Sequence, residues 1–137
     1  MNKNVKYWFN ESIESLKTAK ILLKNQRTLE CAFFCHLAIE KVLKAFIANR
    51  LNVIPPKIHN LLLLAEQSGL SKELTDEQLD FLSELNIYQL EGRYPGDREL
   101  LLKQTPTEKF TQILADTERE YLWLEQKIKS EKSSKLT

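Results

Sequence analysis

Apolar side chains recur at three- and four-residue steps from the start of the chain. Val5, Trp8, Phe9, Ile13, Leu16, Ala19, Leu22 and Leu23 mark one face of a helix over about residues 3 to 25. Lys17, Lys20 and Lys24 fall on its outer face. Asn25-Gln26-Arg27 is a short polar break, and a second helix follows from Thr28 to about Arg50. Two long helices joined by so short a link are antiparallel neighbours. Pro55-Pro56 then stops the helical run and imposes extended backbone before it. Ile58 to Ser68 reads as a short apolar helix, with Gly69 placed to cap its end. Thr75 and Gln78 have the spacing of a capping box. They open a helix with Leu79, Leu82, Leu85 and Tyr88 on its buried stripe, running to near Leu90. Residues 91 to 104 (EGRYPGDRELLLKQ) read as a connection. Thr105-Pro106-Thr107-Glu108 has the form of another capping box. The last helix then runs to about Lys129, on the stripe of Phe110, Ile113, Leu114, Thr117, Tyr121, Leu124 and Ile128. Residues 130 to 137 are polar and aperiodic, and fraying is expected there.

No strand pattern and no internal repeat occur. The expected fold is all-α, an up-and-down antiparallel bundle of four to five helices, with one domain over 1–129 and a polar tail over 130–137. The second helix stands out. Its segment from Cys31 to Ile47 is apolar on nearly every side, yet it carries His36, Glu40, Lys41 and Lys44. A helix apolar all round lies inside a bundle or a membrane, and these charges point to the bundle. Its excess apolar surface is expected to meet a second subunit as well as its own chain.

Composition narrows the function classes. The chain of 137 residues has 20 Lys+Arg against 19 Asp+Glu, a formal charge of +1. That balance gives no global attraction to nucleic acid or to an anionic membrane. No apolar run is long enough for a membrane span, and the N-terminal residues lack the apolar core of a signal peptide. A cytoplasmic location is expected. Cys31 and Cys35 lie one helical turn apart, where a disulfide is poorly aimed. No third Cys is present, and His36 points away from Cys35, so buried thiols are expected and neither a metal site nor a cofactor.

Phosphate-binding loops, dinucleotide fingerprints and nucleophile elbows are absent. The polar candidates are therefore few. His36, Glu40 and Lys44 are spaced four apart and stack on one helical face. They read either as the polar lining of a cleft or dimer seam, or as a simple intrahelical Glu40–Lys44 pair worth roughly 0.3–0.5 kcal/mol. His59 follows the prolines near a helix N-terminus, where the dipole favours a neutral imidazole able to act as a base. Its plainer reading is a loop hydrogen bond. Arg93 and Arg98 share the 91–104 segment and suit a phosphate, with Tyr94 beside Arg93. The plainer reading there is pairing with Glu91, Asp97 and Glu99. Trp8 and Trp123 fall on apolar stripes and are assigned to the core.

Three segments in order resemble the HEPN family, the higher-eukaryote and prokaryote nucleotide-binding domains. Ala38-Ile39-Glu40-Lys41-Val42-Leu43-Lys44-Ala45, preceded by Ala32-Phe33-Phe34, is similar to that family's central-helix signature. Pro55-Pro56-Lys57-Ile58-His59-Asn60-Leu61 resembles its proline-then-H-x-L helix entry. Arg93-Tyr94-Pro95-Gly96-Asp97 resembles the R-Y-P segment of its small stand-alone members. The likeness spans about residues 5 to 125. It implies a helical bundle that forms a homodimer, a minimal nucleotidyltransferase as partner, and a toxin–antitoxin-like module acting on a nucleotide or RNA. Members that cleave RNA carry an Arg and a His with four to six residues between them. This chain departs from that pattern. Arg50 precedes His59, and Arg27 precedes His36, each with eight residues between. The expected function is binding of a nucleotide or RNA phosphate near Glu40, Lys41, Lys44, His59, Arg93 and Tyr94. The alternatives are a metal-independent ribonuclease using His59 and Arg93 as catalytic residues, and a purely structural adaptor.

Overall fold

The structure, a computed structural model, describes residues 1–135, with side chains to Glu131. It is all-α: among the described residues there are six α-helices, one 3₁₀ turn and no strand. The helices are α1 (Lys3–Lys24), α2 (Thr28–Leu51), α3 (Leu61–Gln67), α4 (Asp76–Asn86), α5 (Pro95–Gln104) and α6 (Thr107–Lys135). The 3₁₀ turn, Leu70–Lys72, lies between α3 and α4.

Local chemistry sets most of these boundaries. Asn2 caps α1, its side-chain oxygen accepting from the Val5 N–H at 2.9 Å. Gln26 takes a left-handed φ of 60° in the turn that follows, and Arg27 N–H donates back to the Leu22 carbonyl at 2.8 Å. That tight reversal lays α2 antiparallel against α1. Thr75 and Gln78 form the expected capping box: the Gln78 N–H donates to the Thr75 hydroxyl at 3.1 Å, and the Thr75 N–H donates to the Gln78 side chain at 2.9 Å.

Four boundaries differ from the pattern reading. The α3 helix starts at Leu61 rather than Ile58, because the Asn60 side chain caps it, accepting from the Leu62 and Leu63 N–H groups. The α4 helix ends at Asn86, four residues early, although Tyr88 and Leu90 beyond it stay buried. The Thr105 hydroxyl does not cap α6; it donates to the Leu101 carbonyl at 2.7 Å. The α6 helix continues to Lys135, past the expected end near Lys129, while residues 136–137 lie outside those described.

The larger correction is α5, which occupies a segment read as a connection. Pro95 at its first turn, Asp97 near its N-terminus and Lys103 in its last turn are all placed as a helix wants them. It has no amphipathic period because it buries no residue.

The core lies around α2, which packs against α1, α3, α4 and α6. Ile39, Leu43, Phe46 and Ile47 meet Leu61, Leu64, Leu82, Leu85, Phe110, Ile113 and Leu124 there, all essentially inaccessible to solvent. Most of the apolar surface of α2 is buried within the chain, while Phe33, Phe34 and Leu37 stay partly exposed and Leu51 is half exposed. Trp8 and Trp123 are only partly buried at the core's edge, each with a lysine over its ring. Cys31 and Cys35 are buried free thiols. No described helix is long and apolar enough to cross a membrane.

Candidate functional site

The middle of α2 holds a carboxylate that water hardly reaches: Glu40 is 3% exposed. A buried charge persists only if other charges and hydrogen bonds replace its hydration. One turn along the helix, Lys44 Nζ lies 3.1 Å from Glu40 Oε2. One turn back, His36 Nδ1 lies 3.6 Å from Oε1, too far for a hydrogen bond. The decisive partner comes from outside the helix. His59 Nδ1 sits 3.1 Å from Oε1 and 3.2 Å from Oε2.

The segment before α3 delivers His59 to this point. Pro55 is buried and anchors the extended backbone after α2. On the other side, Asn60 and Asn86 clasp each other at 3.1 Å, and Asn86 also accepts the Leu61 N–H at 2.9 Å. His59 is held between these two fixed points, one ring edge on Glu40. Its other nitrogen, Nε2, lies 3.5 Å from Glu91 Oε2. The His59 side chain is 44% exposed, so Nε2 opens to solvent while Nδ1 faces the buried carboxylate. Against an ionised Glu40, Nδ1 carries the proton, which leaves Nε2 as the reactive edge.

The remaining cations divide by direction. Lys44 is buried, its charge shared between Glu40 and the face of Trp8 at 5.2 Å. Lys41, one residue on from Glu40 and so turned about 100° around the helix, reaches Glu11 on α1 at 3.7 Å. Arg93 turns to backbone: Nε donates to the Gln89 carbonyl at 2.8 Å and Nη2 to the Ile87 carbonyl at 2.7 Å. It satisfies the carbonyls that follow the end of α4. Arg98 donates to the Leu90 carbonyl at 3.1 Å instead of pairing with Asp97 or Glu99. Tyr94 is 78% exposed at the entrance to α5.

The structure therefore brings Glu40, Lys44, His36 and His59 together, with Glu91 at the rim. It does not join His59 to Arg93: no hydrogen bond or ion pair links them among the described residues, and Lys41 faces elsewhere. Pattern reasoning missed Glu91 and the Asn60–Asn86 clasp. Spacing along the chain does not show either of them, because only the path of the chain brings them together.

His36 is an unusual member of the cluster. It is fully buried, and neither ring nitrogen has a hydrogen-bond partner. Burial holds its imidazole below the usual range, and the nearby Glu40 charge pulls less strongly the other way. Among the described residues, no group of three or more His, Cys, Asp or Glu side chains is arranged to hold a metal ion.

The family model described as HEPN domain matches residues 5–127, from the first turn of α1 through most of α6. The matched span includes every residue of the Glu40 cluster. No curated protein and no solved structure gives a significant match to the chain.

Proposed function

This chain belongs to the HEPN domain family, and from that premise we propose that it acts as a dimeric protein binding a nucleotide or RNA phosphate at the outer edge of His59. The observation that carries this reading is the Glu40–His59 pair, in which a buried carboxylate fixes Nδ1 and leaves Nε2 facing solvent. Glu40 fixes the ring from behind, so that Nε2, when it carries a proton, offers one directed N–H to a phosphate oxygen. The phosphate takes the place that Glu91 now holds at Nε2. Arg93 and Tyr94 follow Glu91 in the chain and supply a second cation and an exposed ring for a base. Lys44 acts by neutralising Glu40 rather than by touching the ligand, while Lys41, paired with Glu11, lies off this edge. The resemblance of Arg93-Tyr94-Pro95 to small stand-alone members is what suggests a minimal nucleotidyltransferase as partner and a toxin–antitoxin-like setting.

One feature favours a second reading. A carboxylate behind an imidazole, with only the exposed Glu91 carboxylate near its far nitrogen, is also how a general base is oriented. In that reading the protein is a metal-independent ribonuclease in which His59 takes a proton from a ribose hydroxyl.

Two measurements on the purified chain separate the readings. A nucleoside triphosphate and a short single-stranded RNA are each tested for a rise in Tm; saturation near 100 Kd adds about 2.7 kcal/mol of stability. His59→Ala and Tyr94→Ala are expected to remove most of that shift. The same RNA is incubated without metal ions and its length followed. Cleavage by the wild type that His59→Ala abolishes establishes the ribonuclease. Absence of both binding and cleavage leaves a structural adaptor and defeats both readings.

A further inference from the structure

On another face of the bundle, α4 and α6 diverge and leave an open groove of about 640 Å³. Its walls carry Glu77, Asp80 and Glu84 from α4, and Asp116 and Glu120 from α6. Two of these carboxylates are already neutralised: Lys109 reaches Glu84 at 2.7 Å, and Arg119 reaches Asp116 at 3.1 Å. Glu77, Asp80 and Glu120 make no ion pair among the described residues, and Arg119 is the cation that lines the groove with them.

Glu120 is the informative one. It is 94% buried (6% exposed) yet lines the groove, and its one protein hydrogen bond is from Gln78 Nε2 to Oε1 at 3.1 Å. A carboxyl so placed with no counter-charge is costly to keep ionised. Burial accordingly pushes it up to about 7, with the Gln78 hydrogen bond opposing. The Phe81 and Trp123 rings also line the groove; Lys127 already lies over Trp123 at 5.5 Å, and the face of an aromatic ring such as Phe81 attracts cations.

We propose that this groove docks an extended, lysine- or arginine-bearing segment of a partner protein. The charge complementarity is direct: Glu77 and Asp80 make no ion pair among the described residues, a cation beside Glu120 would favour its charged form, and the Phe81 ring lies in the same groove. The dimensions agree. From Asp116 to Gln126 the groove follows ten residues of α6, about 15 Å at the helical rise, which suits four or five residues of extended chain. The groove is open along its length, so a small free cation gains few contacts at any one point. Cations linked along one backbone gain from each other's placement. Nucleic acid is repelled by the same carboxylates. The groove shares no residue with the Glu40–His59 cluster, so the two surfaces can fail independently.

The test uses the full chain and a fluorescently labelled hexapeptide of alternating arginine and alanine, followed by anisotropy at physiological salt. Saturable binding is expected, weakened at least tenfold by Glu77→Gln with Asp80→Asn, and separately by Glu120→Gln. A control, Glu14→Gln with Glu30→Gln, removes two exposed carboxylates elsewhere and is expected to leave binding unchanged. Circular dichroism confirms that each variant is folded. No saturable binding, or equal loss in the control, overturns the proposal. Spermine binding as tightly as the peptide assigns the groove to free polyamines and overturns it too. Self-association of the chain that Glu77→Gln with Asp80→Asn abolishes assigns the groove to a second copy, with the same consequence.

Discussion

Glu40 and Lys44 show what a buried ion pair commits a protein to. Removing one partner strands the other in a low-dielectric interior, at a cost of about 3–5 kcal/mol, whereas replacing both with apolar groups of similar size is close to neutral. Lys44→Ala is therefore expected to lower the unfolding free energy by about 3 kcal/mol, read from urea denaturation. Glu40→Leu with Lys44→Met should recover most of that loss while abolishing the function of the His59 edge. A double variant as unstable as Lys44→Ala would mean that the pair is not the source of the cost. The helical stacking of His36, Glu40 and Lys44 was legible in the sequence, because a four-residue spacing dictates it. The arrival of His59 at Glu40 was not, since nineteen residues separate them and the route between depends on how Pro55 and the Asn60–Asn86 clasp direct the chain. Arg93 was misleading for a related reason: local pattern shows a cation, but not that two backbone carbonyls consume two of its donors.

Among the elements, the long helices were readable because each buries a stripe, and the buried stripe is what periodicity reports. The α5 helix was not, because it has no fully buried residue and only Leu101 packs against the core, partly buried. An isolated helix of ten residues is marginal in water, and this one carries Leu100 and Leu102 about half exposed, with Tyr94 at its entrance more exposed still. A helix of this kind gains stability when its apolar side chains meet a second surface. Leu100 and Leu102 therefore make α5 one candidate for the seam of a dimer of the kind common in this family. Leu100→Asp with Leu102→Asp is expected to convert a dimer to a monomer in light scattering after size exclusion, with little change in the Tm of the monomeric unit. A variant pair that stays dimeric would move the seam elsewhere.

At the scale of the whole molecule, two buried titrating groups give stability opposing dependences on pH. His36 is held below its usual value, so the unfolded chain binds more protons than the native one as pH falls below about 6.5. Stability then rises with pH across that window and levels off above it. Glu120 behaves oppositely. Its folded value is raised from 4.5 to about 7, so between those limits the native state binds the extra proton and stability falls as pH rises. Each fully expressed difference of one proton is worth about 1.36 kcal/mol per pH unit. Where the two windows overlap, below about pH 6.5, the slopes oppose each other and partly cancel, so the wild-type urea midpoint is expected to vary less with pH than that of a variant lacking either group. Glu73, drawn down by hydrogen bonds from Lys127 and Arg50 against a partial desolvation penalty, contributes only in more acid solution, where its loss of charge removes stability as pH falls below about 4.5. The cancellation can be taken apart. Glu120→Gln should leave the His36 slope alone, so that stability climbs with pH up to about 6.5. His36→Leu should leave the Glu120 slope, so that stability declines between pH 5 and 7. Urea midpoints at half-unit steps of pH read both slopes, and the comparison rests on slope rather than on level, so an unrelated packing cost in either variant does not disturb it. A Glu120→Gln profile parallel to that of the wild type would show that Glu120 is not the group that opposes His36.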